Sequence, residues 1–247
     1  MIQELWDFIT TKSTASARDE GYLYHSIALA HRARRCQTHW HEHLKNCHHQ
    51  LLLHLKDLKQ KKRVAVLGSG LLLETPAEIL AQHFAQIDLV DVVHTKDVRK
   101  KISSLPSAAQ FNLIELDLNK SFIEDSYDFV ISANLLSQLP YVLAKKIRQE
   151  NKDKKELSDL ENEIEKMTFD LQSRHFQQVK SLSKNIFLFS DFEIELHDKK
   201  GKLIEQSPTV DSSLSIKWEN SWIWNLAPIP EISTDYSVDL RVGVARF

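Results

Sequence analysis

The chain has 247 residues, enough for one sizeable α/β domain with extensions or at most two small domains. With 42% hydrophobic and 27% charged residues it can build a packed core, and a formal charge of -2 gives no global field toward nucleic acid or an anionic membrane. Cys36 and Cys47 are the only cysteines, which excludes a disulfide framework and fits a reducing compartment.

Met1 to Thr11 carries Glu4 and Asp7 and lacks a basic region followed by an apolar run, and no stretch is apolar for long enough to cross a bilayer. A cytoplasmic protein without membrane contact is expected. Residues 1–60 read as a helical extension. Leu23, Ile27 and Ala30 recur at helical spacing, and Trp40, Leu44, Cys47, Leu51, Leu55 and Leu58 continue an apolar stripe. Lys59 to Arg63 is a charged connector into the short apolar run Val64 to Leu67, the first buried strand of a parallel sheet.

Thr75, Pro76 and Glu78 spell a capping box with proline at the first helical position, so a helix is expected to start there. Ile87 to Val93, Phe111 to Leu116 and Asp128 to Ser132 supply three more strands. The alternation predicts a doubly wound, mostly parallel sheet of Rossmann-like form over residues 61–247, with seven strands. From Ala144 to Ser183 the composition turns polar, then Leu157, Leu160, Ile164, Met167 and Leu171 repeat at spacings of three and four. This reads as an inserted helical protrusion whose seam, 157–171, could form a homodimer contact. Asn185 to Glu195 is the next strand, His197 to Gly201 a hairpin turn into Lys202 to Gln206, and Ser237 to Phe247 a closing strand.

The informative segment is Gly68-Ser69-Gly70 after the first strand. Glycines there allow positive φ and close approach of a ligand, and a helix follows. Asp91 ends the second strand at about the 20-residue offset of an acid that holds a ribose hydroxyl pair. Asp117 follows the third strand and Asn134 the fourth, so all these features fall at the carboxyl ends of strands, where ligands of open α/β sheets bind.

On these residues, from Val64 to Leu139, the sequence resembles the class I S-adenosylmethionine-dependent methyltransferases. The resemblance implies a glycine-rich loop (Gly68, Ser69, Gly70) around the methionyl end of S-adenosylmethionine. It implies Asp91 on the ribose, Asp117 with Leu118 at the adenine, and Asn134 beside the sulfonium. The final strand would enter as an antiparallel hairpin, Ser221 to Leu226 with Ser237 to Phe247. Two positions depart from the family pattern: Val66 stands where an acid is frequent, and Leu72 where a third glycine is frequent.

A dinucleotide site would want glycine at Leu73, and a pyrophosphate would be repelled by Glu74. The cationic methyl donor is attracted by that same acid, which adds Glu74 to the expected cofactor contacts. A nicotinamide-dependent oxidoreductase therefore ranks below both a methyltransferase and a non-catalytic methyltransferase-like scaffold.

Each singled-out residue also has a plain structural role open to it. The glycines could simply make a tight turn, Asp91 could end a strand, Asp117 could start a turn, and Asn134 could cap the next helix. His25 and His94 are candidate general bases, with Asn134 as a third candidate catalytic group. Arg35, in the cluster Arg32, Arg34 and Arg35, could hold an anionic group of the acceptor or belong to a solvated, ion-paired face. Trp222 and Trp224 could wall an acceptor pocket or pack in the core. His43 and Cys47 alone among the helical histidines and cysteines could chelate together, because Cys36 to His54 spans about 27 Å of helix; no metal is expected. A small-molecule acceptor is favoured, with protein or RNA left open.

Overall fold

The computed structural model describes residues 2–151 and 157–247. In chain order the elements are α1 (Ile2–Thr10), α2 (Ala15–Asp19), α3 (Tyr22–Arg35), α4 (Gln37–Asp57), β1 (Arg63–Leu67), α5 (Ala77–His83), β2 (Gln86–Asp91) and α6 (Lys96–Ser103). There follow β3 (Phe111–Glu115), β4 (Phe129–Ala133), α7 (Leu135–Asn151), α8 (Leu157–Leu182), β5 (Ile186–Asp198), β6 (Leu203–Pro208), β7 (Asn220–Ala227) and β8 (Tyr236–Arg246).

The strands lie in the order β3-β2-β1-β4-β5-β8-β7. The first five are parallel, and β8 runs antiparallel between β5 and β7. These are the seven strands expected. An eighth, β6, pairs antiparallel with the outer half of the long β5, through the hairpin turn at Asp198 to Lys202. The closing hairpin is β7 with β8, so both ends of the expected pairing are found.

β1 and β4 are buried throughout their apolar runs because helices cover both faces, which removes any polar alternation. Val64 and Val66 join Ile87, Leu89, Phe129 and Ile131 under Leu51 and Leu55 of α4, Leu80 of α5 and Ile102 of α6. Ala65, Leu67, Val90 and Val130 face the other way, against Val179 and Leu182 of α8. This period of two is the pleat of the strands made visible in the core. The helical stretch 1–60 thus does not stand apart from the sheet; α4 supplies part of one of its two covering layers.

The helix after β1 begins differently from expectation. Pro76 is itself the N-cap, its carbonyl accepting from Ile79 and Leu80, and no side chain caps the helix. Thr75 is buried instead, so no capping box forms. The proposed insertion at 144–183 is the second part of the β4-to-β5 connection, because α7 already starts at Leu135. α7 and α8 pack together: Leu160 and Ile164 are buried against Ala144, with Ile147 and Met167 beside them, and Arg148 is bidentate to Glu161. Leu171 is buried too. Leu160, Ile164 and Leu171 of the expected seam are thus covered within one chain.

Candidate functional site

In a doubly wound sheet the ligand crevice opens where the strand order reverses, here between β1 and β4. The loop leaving β1 is left-handed at three points, Gly68 (φ +72), Gly70 (φ +51) and Leu72 (φ +56). Gly68 also has no room for a side chain, since a Cβ would lie 2.5 Å from Leu135 Cγ and 2.7 Å from the Ala133 carbonyl oxygen. Leu72 stands at the position where the family often has a third glycine, and it adopts the backbone that glycine would take, with its side chain fully buried. For a leucine that backbone is strained, and the burial of its side chain holds it there.

Asp91 closes the next corner. Its Oδ2 accepts from the Gly70 N–H at 2.8 Å, and its own carbonyl accepts from Leu116 N–H beyond β3 at 2.8 Å. The residue keeps some exposed surface, yet its carboxylate is packed round closely. Burial pushes the carboxyl pKa up against the pull of the Gly70 N–H.

Just after β4, Asn134 is also left-handed (φ +53) and buried, with its N–H donated to the Phe189 carbonyl at 2.9 Å. Its side chain does not cap α7, since Asn134 Oδ1 has no hydrogen-bond partner. The Ser69 hydroxyl on the facing loop is likewise buried and without a partner. Two unpaired buried oxygens on the two loops of the switch point cost stability unless a ligand satisfies them.

The remaining expected residues divide. Asp117 is used locally: Oδ1 accepts from the Asn119 N–H, and Oδ2 lies 3.3 Å from Lys120 Nζ. Leu118 is buried in the core beside Leu67 and Val90. His94 is fully buried, with its Nε2–H donated to the Ile114 carbonyl at 3.3 Å, and burial lowers its pKa. His25 is half-buried between Tyr24 and Tyr141, its pKa lowered by burial and by nearby Lys145 and Arg32. Glu74 turns toward α4, 3.8 Å from His43 Nε2.

His43 explains the tryptophans. Trp222 Nε1–H donates to His43 Nδ1 at 3.0 Å, and Trp224 stacks on the same imidazole at 4.0 Å while meeting Trp40 edge-on. Trp224 is 2% exposed. Both rings fasten α4 to β7, the packing role that the sequence left open beside an acceptor wall. Arg35 is held bidentate by Glu231, at 3.0 and 2.6 Å, which is the ion-paired alternative of the two open to it. Among the described residues no three His, Cys, Asp or Glu side chains are grouped to hold a metal ion, and no helix is long and apolar enough to cross a membrane.

Two sizeable cavities lie away from the switch point. One of about 460 Å³ runs between Arg35, Cys36 and Pro228 to Glu231, the other of about 600 Å³ lies below the amino ends of the strands at Arg63, Gln86 and Tyr127. Strand polarity outweighs cavity size here, because the left-handed Gly68 and Gly70 follow β1 and Asp91 ends β2, at the carboxyl edge where ligands of open α/β sheets bind.

Five parallel strands, a reversed strand between β5 and β7, a left-handed loop after β1 and an acid at the end of β2 decide the architecture. The fold is that of the class I methyltransferases. No protein-family model matches the sequence, and no curated protein matches it. Solved structures similar to the chain include the DhpI–SAM–HEP complex, at 9% identity over 93% of this chain and 99% of that one, with a TM-score of 0.47. A Burkholderia thailandensis 1,6-didemethyltoxoflavin-N1-methyltransferase with bound 1,6-didemethyltoxoflavin and S-adenosylhomocysteine is similar at 12% identity over 82% and 77%, with a TM-score of 0.42. A SAM-dependent methyltransferase from Leishmania major is similar at 11% identity over 97% and 81%, with a TM-score of 0.37. The fold assignment rests on this chain's own strand order.

Asp191, Ser137 and Ser190, at the carboxyl edge beside Asn134, are absent from the sequence-based expectation. Asp191, 5% exposed, follows Phe189 by two residues on β5; its Oδ1 accepts from the Ser137 hydroxyl at 2.6 Å, and the Ser190 hydroxyl donates to its backbone carbonyl. The signal for it was a Ser-Asp pair interrupting the apolar run Ile186 to Phe192. A roof also covers the edge. Leu23 and Ile27 of α3 pack on Val93, Tyr22 Oη accepts from Asn119 Nδ2, and Lys120 pairs with Glu20.

Proposed function

We propose that the chain is an S-adenosylmethionine-dependent methyltransferase acting on a small-molecule acceptor. S-adenosylmethionine is the cofactor of this fold, and when bound it supplies an electrophilic methyl group. The observation that carries the reading is the pair of buried, unpartnered oxygens, Ser69 Oγ and Asn134 Oδ1, on the two loops that flank the switch point. A ligand rich in N–H and O–H donors satisfies them. The adjacent Asp91 carboxylate suits a ribose hydroxyl pair, with Gly68 and Gly70 keeping the loop backbone open to close approach.

The chain's own contribution to rate is alignment and exclusion of water. Asn134, Ser69 and Asp91 would orient the donor, while the roof of α2 and α3 encloses the edge, which suits a small acceptor better than a polymer. Of the two histidine candidates for a base, His25 retains some exposed surface, whereas the Nε2–H of His94 is committed to Ile114.

Titration calorimetry with S-adenosylmethionine, S-adenosylhomocysteine and NAD tests the reading. Binding of both sulfur ligands without NAD is expected. Binding of neither overturns it, and NAD alone would point to an oxidoreductase.

A second reading, a non-catalytic methyltransferase-like protein that binds cofactor or serves as a scaffold, draws on Leu72, which keeps the left-handed backbone but fills the loop with a buried side chain. A methyl-transfer screen over small metabolites, with RNA and protein extracts as further arms, separates it from the first.

A further inference from the structure

A methyl donor seated over β1, β2 and β3 leaves the carboxyl end of β4 and the part of β5 level with it for the acceptor, and Asp191 of β5, two residues past the partner of Ala133, puts a buried carboxylate there. The Ser137 hydroxyl joins it to the donor side: it donates to Asp191 Oδ1 at 2.6 Å and lies 3.3 Å from the backbone carbonyl oxygen of Asn134. The Asn134 N–H is in turn bonded to the Phe189 carbonyl, two residues before Asp191. One serine thus spans the end of β4 and the middle of β5.

Asp191 has no ion-pair partner among the described residues, although its side chain is almost wholly removed from water. His43, from α4, is the imidazole that acts on it electrostatically. That ring accepts from Trp222 and faces Glu74, so a second acid stands behind it. A buried carboxylate held by the Ser137 hydroxyl, with no lysine or arginine in salt-bridge reach, is complementary to a cationic ligand. Burial also raises its pKa, opposed by the Ser137 hydroxyl, which makes it a better proton acceptor than an exposed aspartate.

We propose that Asp191 receives the acceptor and that the acceptor is a small amine, methylated on nitrogen; this rests on the methyltransferase reading above. The ammonium gives one proton to the Asp191 carboxylate, which exposes the nitrogen lone pair. That lone pair forms the new N–C bond while the electrons of the S–C bond remain on sulfur. The product leaves as a methylammonium with S-adenosylhomocysteine, and Asp191 returns its proton to solvent. Ser137 is a positioning residue, fixing the carboxylate rather than touching the nitrogen.

The test uses adenosine-based probes in which a tertiary amine replaces the sulfur and bears a 3-aminopropyl, a butyl or a 2-carboxyethyl arm. Binding of each to the full chain is measured by calorimetry beside S-adenosylhomocysteine. The aminopropyl arm is expected to bind at least tenfold tighter than the butyl arm, and the carboxyethyl arm more weakly than either. In Asp191→Asn the amine preference should fall to twofold or less with S-adenosylhomocysteine affinity kept within threefold. Ser137→Ala, which leaves the carboxylate in place but unheld, should reduce the preference severalfold, and it serves if Asp191→Asn does not fold. Equal binding of the amine and butyl arms to the native chain overturns the inference alone, as does a preference that survives in Asp191→Asn. Failure of S-adenosylhomocysteine itself to bind overturns the methyltransferase reading and this inference with it.

Discussion

The Asp91 carboxylate accepts a hydrogen bond from the Gly70 N–H at 2.8 Å, tying the loop after β1 to the end of β2. The loop therefore depends on the acid for its shape, and a ribose held by Asp91 would meet the loop at the same point. Asp91→Ala should weaken S-adenosylhomocysteine about tenfold or more, roughly the loss of a charge-assisted hydrogen bond or two. Calorimetry on the folded variant checks this, and unchanged affinity removes the ribose role.

Gly68 is a packing position as much as a conformational one. Its φ of +72 and the 2.5 Å approach to Leu135 Cγ mean that Gly68→Ala strains the backbone and collides with α7 together. A loss of at least about 2 kcal/mol is expected in urea unfolding. A variant as stable as the native chain would show that α7 starts elsewhere.

Asn134 separates backbone from side chain. Asn134→Gly keeps the left-handed φ of +53 at no steric cost and removes the unpartnered Oδ1. Stability should change by less than about 1 kcal/mol, while affinity for S-adenosylmethionine drops severalfold. A fall in melting temperature without loss of affinity would make Asn134 purely structural.

His175 of α8 is buried against Ser132 of β4, ring nitrogen to hydroxyl at 2.8 Å, and burial pushes its pKa down from 6.5 to about 4. The folded chain thus disfavours the protonated ring that the unfolded chain accepts. Its contribution to stability is complete above pH 6.5 and is lost as pH falls toward about 4, by up to about 3 kcal/mol. Unfolding measured across that window should show the slope in the native chain and a shallower one in His175→Gln. Parallel slopes would contradict it.

Leu160 and Ile164 are covered by α7, so Leu160→Ala should cost about 3 kcal/mol without altering the sedimentation coefficient. A change in oligomeric state at constant stability would return the seam to a role between copies.

The strands and their order of appearance were legible because burial on both faces leaves an unbroken apolar run, as in Val64 to Leu67 and Phe129 to Ile131. The closing hairpin showed in the alternation of Val238, Leu240, Val242 and Val244. Thr75 misled because a capping box is a local pattern, whereas burial of Thr75 is decided by the loop above it. Trp222, Trp224 and Arg35 left two roles open for a related reason. An aromatic or a charge reads the same in sequence whether it faces a ligand or, as here, His43 and Glu231.

The sequence alone determined the sheet, the glycine loop and the acid ending β2, since each depends on residues close in the chain whose spacing follows from backbone geometry. Only the tertiary structure decided that Ser69 and Asn134 keep unpaired oxygens at one crevice, that Leu72 carries a glycine's backbone, and that Asp191 meets Ser137 across 54 positions. Those relations arise from chain crossings between distant strands, and hydrogen bonding across a crossing leaves no periodic trace in the order of residues.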